Sequence, residues 1–520
     1  MVGTAAKPWM MLKEISSNGN CQTVDVIYPH FPVQLYLNPT LLRLLMEPLL
    51  DNQERGFFPK KYCIHDLGTH YPRCIGHTDG KQEDMEVEES ANMVIMMSAY
   101  VRATNDKQFA QKHYNIAEQW TQYLVDNGLI TGDALTTDDF LGTIKNSTNL
   151  SLKAIIGIGA MAQLAEVVGN HDDQQKYRQI AEKYVTEWIR MGEDPSNKHM
   201  KLSYNDNNTW FMIYNLYADV ILDTKLVPES IYKQQDEWYL SMQNYYGLPL
   251  ESGTPHTKFD WVMFTAAAST NAKLRQSMFD RTAQWLRETP DHVPFSDWVD
   301  TQTGGSRGFK NRPVIGGSCS AVDNDVLPAV PLVVKSPYLS TWMTSPQLMG
   351  DWPRFWNGNI KGMAGLVRVN GQTYEFMGHP TQEDIGTKLQ AKQVSLRVTP
   401  TQSIFTFNAG PIALAVNFFT PIDPTDLKRL SLPASYISVS AWSLDSATHE
   451  VEVYLDITGE WTSGDSNEEV VWDMKEIKVN KTIITGDMRL KNQKPFEENN
   501  ESAQWGTVKF FTDTTVTHEV

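Results

Sequence analysis

Residues 60–97 read KKYCIHDLGTHYPRCIGHTDGKQEDMEVEESANMVIMM, and they join a polar loop to the start of an apolar helix. The loop is rich in Gly and in titratable side chains, namely His65, Asp66, His70, His77 and Asp79. From Glu86 onward, apolar residues recur at helical spacing, which predicts a helix over residues 86–104. Loops that bring titratable groups to a rigid helix commonly carry chemistry, although a solvated acidic loop that caps a helix would show the same pattern.

The length and charge of the chain limit what it can be. Its 520 residues exceed what one core usually holds, so we expect two or three domains. The net charge of −17 argues against nucleic acid and anionic lipid as partners. We expect no membrane span, because no apolar run reaches about 18 residues, and residues 154–165 are predicted to form a buried helix.

The signals for a cellular compartment point in different directions. Residues 1–20 lack the apolar core and cleavage site of a signal peptide. Glycosylation sequons nevertheless start at Asn146, Asn149, Asn207, Asn480 and Asn500, which favours an exported glycoprotein. Cys63 and Cys74 flank the polar loop and could form a disulfide in an oxidising compartment, or they could stay as buried free thiols.

The first 317 residues are predicted to fold as paired helices. The predicted helices are 86–104, 107–126, 150–168, 172–190, 210–222, 230–246, 260–268 and 270–288. Gly157 and Gly159 would let a neighbouring helix come close. Helical hairpins of this kind wind into an (α/α) toroid, whose long loops gather at one end. The loops expected to build a site there are 60–86, 136–149, 196–209, 247–259 and 293–313.

The pattern changes after residue 317. Residues 318–325 read SCSAVDND and are predicted to be a polar linker. Beyond it, apolar and polar residues alternate, and Asn370-Gly371 marks a tight hairpin turn. Further strands are predicted at 394–398, 403–408, 412–419, 436–442, 451–457 and 507–512. Residues 326–520 are therefore predicted to form an all-β sandwich.

Carboxylates are the main candidates for chemistry. Glu88 and Glu89 fall in the first turn of their helix, where the dipole favours ionisation, whereas burial would raise their pKa values and suit a general acid. Asp138 and Asp139 in TTDDF could be catalytic or could simply cap a helix. His65, His70 and His77 match no zinc spacing, and no phosphate-binding loop or nucleophile elbow occurs, so we expect no metal and no cofactor.

Several long strings resemble the fungal secreted glutaminase A family. Examples are MMLKEISSNGN, HDLGTHYP, GHTDGKQEDMEVEESANM, LTTDDFLGTIKNSTNLSLKAIIGI and KFDWVMF in the helical part, and WPRFWNGNIKGMAGLVRVNGQTYEFMG and SAQWGTVKFF in the β part. The resemblance covers residues 9–317 and about 326–520.

The order of the two regions differs from that family. The family's β region precedes its helical region, whereas here the order is swapped and the middle section between them is missing. We interpret the chain as the end of one tandem copy joined to the start of the next, although a permuted protein or an engineered chain would show the same order. The missing family signal peptide agrees with a joined copy.

The resemblance implies a multidomain α+β fold and a specific reaction. The fold is an incomplete (α/α) toroid of the six-hairpin-glycosidase type over residues 1–317, followed by the β-sandwich. The reaction is hydrolysis of L-glutamine to L-glutamate and ammonia, outside the cell or at its wall. An incomplete toroid would also expose apolar helix faces, through which the chain could associate with itself.

Amide hydrolysis needs an activated water, a proton for the departing ammonia, and charged partners for a zwitterionic substrate. On residue type and loop position, we assign proton transfer to Asp139, Glu88 and Glu89, and next to His65 and Asp66. Arg312 and Lys258 are predicted to bind the substrate carboxylate, and Asp260 its ammonium. The alternatives are a six-hairpin glycoside hydrolase, in which tryptophans would flank a carboxylate pair, and an inactive fragment that retains only binding.

Overall fold

The computed structural model describes residues 2–4, 7–315, 327–381, 388–478 and 482–513. The chain divides into two compact units. The first comprises Met1–Asp291, Phe295–Val322 and Pro424–Leu427, and the second comprises His292–Pro294, Asp323–Asp423 and Lys428–Val520. The predicted linker at 318–325 lies outside the described residues.

The first unit is helical. Its helices are α1 (Val24–Leu37), α2 (Pro39–Glu54), α3 (Glu86–Thr104), α4 (Lys107–Lys112), α5 (Tyr114–Asn127), α6 (Thr148–Val168), α7 (His171–Gly192), α8 (Leu216–Leu222), α9 (Glu229–Met242), α10 (Phe259–Ala268) and α11 (Ala272–Glu288). Short antiparallel strand pairs join Val2–Thr4 to Lys7–Trp9, Asp133–Ala134 to Ile144–Lys145, and His256–Lys258 to Trp298–Asp300.

Inner and outer helices alternate, as expected for an (α/α) toroid. Helix α3 buries fifteen of its 19 residues, whereas α7 buries five of its 22, on a single stripe. The inner helices α1, α3, α6, α8 and α10 pack against one another in that order. The rings of Tyr28 on α1 and Phe264 on α10 lie 6.0 Å apart, so the first and last inner helices touch through aromatic side chains. Most apolar side chains of these helices are buried, although Tyr36 at the end of α1 is 88% exposed, and the expected self-association has no support.

Helix α6 shows how the sequence shapes the ring. The hydroxyl of Ser147 accepts a hydrogen bond from the N–H of Leu150 and so caps the helix. A Cβ atom added at Gly157 would lie 2.9 Å from Cδ1 of Leu124 and 3.3 Å from the Cα atom of Ala91. As expected, the glycine at position 157 therefore lets α3 and α5 pack closely against α6.

Helix α6 bears on the expectation that no segment spans a membrane. Thr148–Val168 is long and apolar enough to do so by length and composition. However, 78% of its most apolar window is buried inside the protein, as in the core helix of a globular domain. This apolarity is explained by packing within the ring.

Some helix boundaries differ from the prediction. The helix expected at 107–126 is divided in two at His113, and α8 covers only the end of the predicted 210–222. Here tertiary packing has overridden local periodicity. In contrast, α3 has the predicted boundaries, and it ends at Asn105, whose φ of 55° stops the helix.

Two four-stranded sheets dominate the second unit. One contains Leu389–Gln390, Gln372–Met377, Met363–Val369 and Val451–Ile457 in spatial order, and the other Lys392–Val398, Gln402–Ala409, Ile412–Phe419 and Tyr436–Ser443. A three-stranded sheet contains Val330–Ser336, Leu339–Met343 and Arg354–Phe355, and a second one contains Val470–Lys478, Thr482–Leu490 and Val508–Asp513. A two-stranded sheet pairs Glu498–Asn499 with Ser502–Ala503. Phe376 and Phe407, from different sheets, have ring centroids 6.1 Å apart in a shared core, which confirms a sandwich.

The cysteines pair differently from the prediction. Cys74 forms a disulfide with Cys21, not with Cys63, and the two Cα atoms are 5.6 Å apart. Cys63 is a buried free thiol whose backbone N–H donates to the hydroxyl of Ser90. Its burial in the core keeps it from Cys74, which sequence proximity alone had favoured. Asn149 is also buried, so a glycan at this sequon would not fit the folded chain.

Candidate functional site

A small polar cavity of about 140 Å³ lies in the helical unit. Its charged lining residues are Glu14, Asp25, His65, Glu83, Asp139 and Arg312. Three of the five loops expected to build a site contribute to it, namely 60–86, 136–149 and 293–313. Residues 14–26 complete the wall, whereas loops 196–209 and 247–259 contribute no lining residue.

The imidazole of His65 is surrounded by carboxylates. Its Nε2 atom lies 3.9 Å from Oδ1 of Asp25, 3.7 Å from Oε2 of Glu83 and 3.8 Å from Oε1 of Glu89. Each distance is longer than a hydrogen bond. Nε2 therefore faces a group of oxygen atoms without bonding to any one of them.

Asp66 fixes the orientation of this imidazole. Its Oδ2 atom lies 2.8 Å from Nδ1 of His65, and its Oδ1 atom lies 2.8 Å from Nε2 of His77. The N–H of Gly68 also donates to Oδ1, at 2.6 Å. Burial raises the pKa of Asp66, but His65 and His77 outweigh it and hold that pKa well below its ordinary value. Asp66 does not line the cavity, and it can affect the site only by holding the imidazole of His65 in place.

The three loop histidines do not form one centre. His77 lies behind Asp66, and His70 is exposed. Burial lowers the pKa of His65, but the hydrogen bond with Asp66 and the charges of Glu89 and Asp25 hold that pKa well above its ordinary value.

Glu89 is buried next to His65. Its Oε2 atom accepts a hydrogen bond from the amide of Asn92 at 3.0 Å, while Oε1 is buried with no hydrogen-bond partner among the described residues. Burial, and then the charge of Asp25, raises the pKa of Glu89 well above its ordinary value. Of Glu88 and Glu89, the two carboxylates in the first turn of α3, Glu89 is therefore the one that lies next to His65.

Glu88 points elsewhere, although it was predicted to transfer protons. Its carboxylate forms an ion pair with Lys153, and both side chains are buried. Lys153 also lies over the ring of Tyr28, with Nζ 4.2 Å from the ring centroid. Because adjacent helix residues point about 100° apart, Glu88 faces the middle of the ring and is not among the cavity residues.

Asp139 and Asp138 have different surroundings. Asp139 lines the cavity from a short 3-10 helix at Asp139–Leu141, and burial followed by the charge of Asp25 raises its pKa. Asp138 makes no capping hydrogen bond. It accepts one from the hydroxyl of Tyr214 at 2.8 Å and one from the indole N–H of Trp261 at 3.0 Å. Burial raises the pKa of Asp138 to about 7.

The cationic wall of the cavity is Arg312. Its Nε atom lies 3.7 Å from Asp297 and has no hydrogen-bond partner among the described residues. Lys258 and Asp260, predicted to bind substrate, instead pair with each other at 3.0 Å, and Lys258 also lies 3.1 Å from Asp297. This buried network lies behind Arg312, so Lys258 and Asp260 do not reach the cavity.

Sequence reasoning missed Glu14, Asp25 and Glu83. Asp25 lies in the first turn of α1, in an apolar run whose individual residues gave no sign of a site. Glu83 belongs to the acidic series before α3 and could have been included with its neighbours. Around the cavity, the acidic side chains outnumber the cationic ones, so the site can bind a cation or the positive end of a zwitterion.

Comparison with known protein families identifies each region. The family described as "Glutaminase A six helical-hairpin domain" matches residues 1–322. Two families described only as domains of unknown function, DUF4964 and DUF5127, match residues 318–386 and 401–520. Among solved structures, an endo-β-1,4-glucanase from Acetobacter xylinum has a TM-score of 0.36 and 11% identity, covering 54% of this chain and 88% of its own. A GH127 β-L-arabinofuranosidase from Geobacillus stearothermophilus T6 has a TM-score of 0.31 and 11% identity, covering 94% and 85%.

Two curated relatives carry glutaminase names. Glutaminase A of Aspergillus oryzae is 43% identical over 323 residues, which are 61% of this chain and 47% of that protein. "Probable glutaminase" of Arthroderma benhamiae is 35% identical over an alignment of 401 residues. That alignment covers 61% of this chain and 46% of that protein. The chain thus spans about half the length of the curated relatives it matches. Because the six-hairpin domain matches well over half of the sequence, the chain belongs to the glutaminase A family.

Proposed function

We propose that the helical unit hydrolyses L-glutamine to L-glutamate and ammonia by carboxylate-assisted attack of water. The observation that carries the proposal is the small cavity with Arg312 on one wall and carboxylates on the others. A volume of about 140 Å³ is well below that of usual drug-sized pockets and suits one small molecule. No tryptophan is among its described lining residues, which disfavours the tryptophan-flanked sugar site of a glycoside hydrolase.

The charges of the cavity match those of an amino acid. The guanidinium of Arg312 would bind the α-carboxylate of glutamine, for which its fork of N–H donors is suited. The carboxylate of Glu14 would bind the α-ammonium group. Glutamine would then present its side-chain amide to the remaining acidic groups, Glu83 and Asp139.

Two carboxyl groups would then carry the protons. Glu83 would accept a proton from water as the water oxygen attacks the amide carbon. Asp139, whose pKa is raised by burial and by the charge of Asp25, would donate a proton to the amide nitrogen, so that the C–N bond breaks and ammonia leaves. Glu89 and His65 would lie next to this centre, with Oε1 of Glu89 3.8 Å from Nε2 of His65.

The test is ammonia release from L-glutamine by the purified 520-residue chain. We expect turnover by the unaltered chain and a loss of at least about 100-fold in kcat for Asp139→Asn, the size expected for a general acid. Asp79→Asn is the matched control, because Asp79 is an exposed acid of the 60–86 loop. The proposal fails if the unaltered chain releases no ammonia or if Asp139→Asn retains full turnover.

We also propose that the protein works outside the cell or at its wall. The disulfide between Cys21 and Cys74 supports this, because such bonds persist in oxidising compartments. Glycosidase digestion of the natural protein, followed by mass measurement, would test it. A loss of mass at Asn207 or Asn500, which are exposed, is expected, and an unglycosylated protein with reduced cysteines would contradict it.

A further inference from the structure

The atoms that face one another around His65 have the geometry of a ligand set. Nε2 of His65, a carboxylate oxygen of Asp25 and one of Glu89 all lie within 4.8 Å of one another. The centre of a roughly equilateral triangle lies at its side divided by √3 from each corner, so a point about 2.2 to 2.8 Å from all three atoms exists. The lower part of this range overlaps the length of protein–metal bonds, about 2.0 to 2.6 Å.

The lack of hydrogen bonds to two of these atoms also supports a ligand set. Oε1 of Glu89 and Oδ1 of Asp25 are buried without a hydrogen-bond partner among the described residues. The side chain of Glu89 is 0% exposed and that of His65 is 3% exposed. Buried carboxylate oxygens almost always have a partner, because leaving one without a partner costs free energy. Nε2 of His65 stays 3.7 to 3.9 Å from three carboxylate oxygens, each too far for a hydrogen bond.

The surrounding residues orient the three side chains as metal sites require. Nδ1 of His65 is bound to Asp66, which leaves Nε2 free to act as the ligand. Asp66 is itself held by His77 and by the N–H of Gly68. The second oxygen of Glu89 is held by Asn92. A carboxylate behind a histidine ligand and a hydrogen bond on a carboxylate ligand are the contacts that typically hold metal ligands in place.

We propose that Asp25, His65 and Glu89 bind one divalent cation of the Zn²⁺ or Mn²⁺ type. One imidazole nitrogen with two carboxylate oxygens suits these ions, and it suits them better than Cu⁺, which prefers thiolate and thioether ligands. The cation would balance the buried negative charge, and Oε2 of Glu83 lies 3.7 Å from Nε2 of His65. The inference goes beyond the proposed function, because cation binding is a property of the chain whatever its substrate.

The test uses the full 520-residue chain, stripped with a chelator and dialysed against Zn²⁺ or Mn²⁺ alone. Elemental analysis is expected to find one ion per chain, and titration calorimetry gives its Kd. Asp25→Asn and Glu89→Gln should each abolish this binding, and Asp66→Asn should weaken it about 10- to 100-fold. Asp84→Asn is the matched control, because Asp84 is an exposed acid next to the cluster, and it should leave the Kd unchanged.

Circular dichroism and the melting temperature show whether each variant is folded. If Glu89→Gln does not fold, Asp25→Asn carries the test, because the Asp25 side chain borders the cavity and is 11% exposed. The proposal is overturned if the unaltered chain binds neither ion, or if binding persists in folded Asp25→Asn. Neither result depends on glutamine turnover, so failure of this inference is distinguishable from failure of the proposed reaction.

Discussion

Glu88 and Lys153 form an ion pair inside the helical ring, with side chains 1% and 0% exposed. Glu88 is on α3 and Lys153 on α6, and Lys153 also covers the ring of Tyr28 on α1. The pair therefore ties three inner helices together. Its role in the molecule is structural, although one of its members is next in sequence to a residue of the candidate site.

Breaking this pair should destabilise the protein strongly. Glu88→Gln leaves the ammonium of Lys153 buried without its counter-charge, and removing one partner of a buried pair typically costs about 3–5 kcal/mol. Urea unfolding of Glu88→Gln and Lys153→Met would measure this. Glu229→Gln is the control, because Glu229 pairs with Lys233 on the surface of α9, and it should unfold at the same urea concentration as the unaltered chain. Equal stability of Glu88→Gln and Glu229→Gln would contradict the structural role.

Arg312 should control the affinity for glutamine. Arg312→Met removes the charge-assisted hydrogen bonds proposed for the α-carboxylate, which are worth about 1.5–3 kcal/mol, so KM should rise roughly 10- to 100-fold with a smaller change in kcat. Steady-state ammonia release measures both constants. Arg307→Met is the control, since Arg307 pairs with Asp300 outside the cavity lining. An unchanged KM in a folded Arg312→Met protein would remove Arg312 from substrate binding.

Asp138 should make the protein less stable as the pH rises from about 4 to 7. Its folded pKa is about 7, above the ordinary 3.8, because of burial. Between these values the unfolded state releases the proton and the folded state keeps it, so unfolding becomes easier by about 1.4 kcal/mol per pH unit at most. Below pH 4 both states are protonated and the penalty vanishes.

Asp138→Asn isolates this effect, because asparagine does not titrate. Urea unfolding at a series of pH values should show that the stability of the unaltered chain, relative to Asp138→Asn, declines between about pH 4 and 7 and then levels off. Acidic residues elsewhere contribute equally to both proteins. A stability difference independent of pH would show that Asp138 is ionised in the folded state.

The disulfide between Cys21 and Cys74 should stabilise the helical unit. It closes a loop with a sequence separation of 53 residues, which includes Asp25 and His65. In the chain-entropy model, a loop of this length stabilises by about 4 kcal/mol. Cys21→Ser with Cys74→Ser should therefore lower the unfolding free energy, and Cys63→Ala should not match it, because Cys63 is a free thiol. Equal effects of the two changes would contradict a disulfide role.

Local patterns predicted many of the helices and strands, but not α1 and α2. The limits of α3, and of the strands Ile412–Phe419 and Val451–Ile457, agree with their apolar periodicity. The Asn370-Gly371 turn pairs Val369 with Gln372 as its dipeptide signal requires. These features depend on neighbours within a few residues, and such information is present in any short window.

The candidate site could be predicted only in part, because its members come from distant segments. Asp139 and His65 stood out as titratable residues in polar loops, and both line the cavity. The different positions of Glu88 and Glu89 depend on Lys153 and His65, whose approach to α3 no local rule specifies. Cys74 likewise pairs with Cys21 across 53 residues, while the nearer Cys63 is enclosed by the core.

The contact between the first and last inner helices has a consequence for synthesis on the ribosome. The contact between Tyr28 and Phe264 joins the first inner helix to the last, so it cannot form until nearly the whole helical region has emerged. Until then, the nascent chain exposes the apolar sides of α1 and α6, which the finished protein buries. Folding of this unit is thus expected to finish late in translation and to depend on chaperones that shield such surfaces.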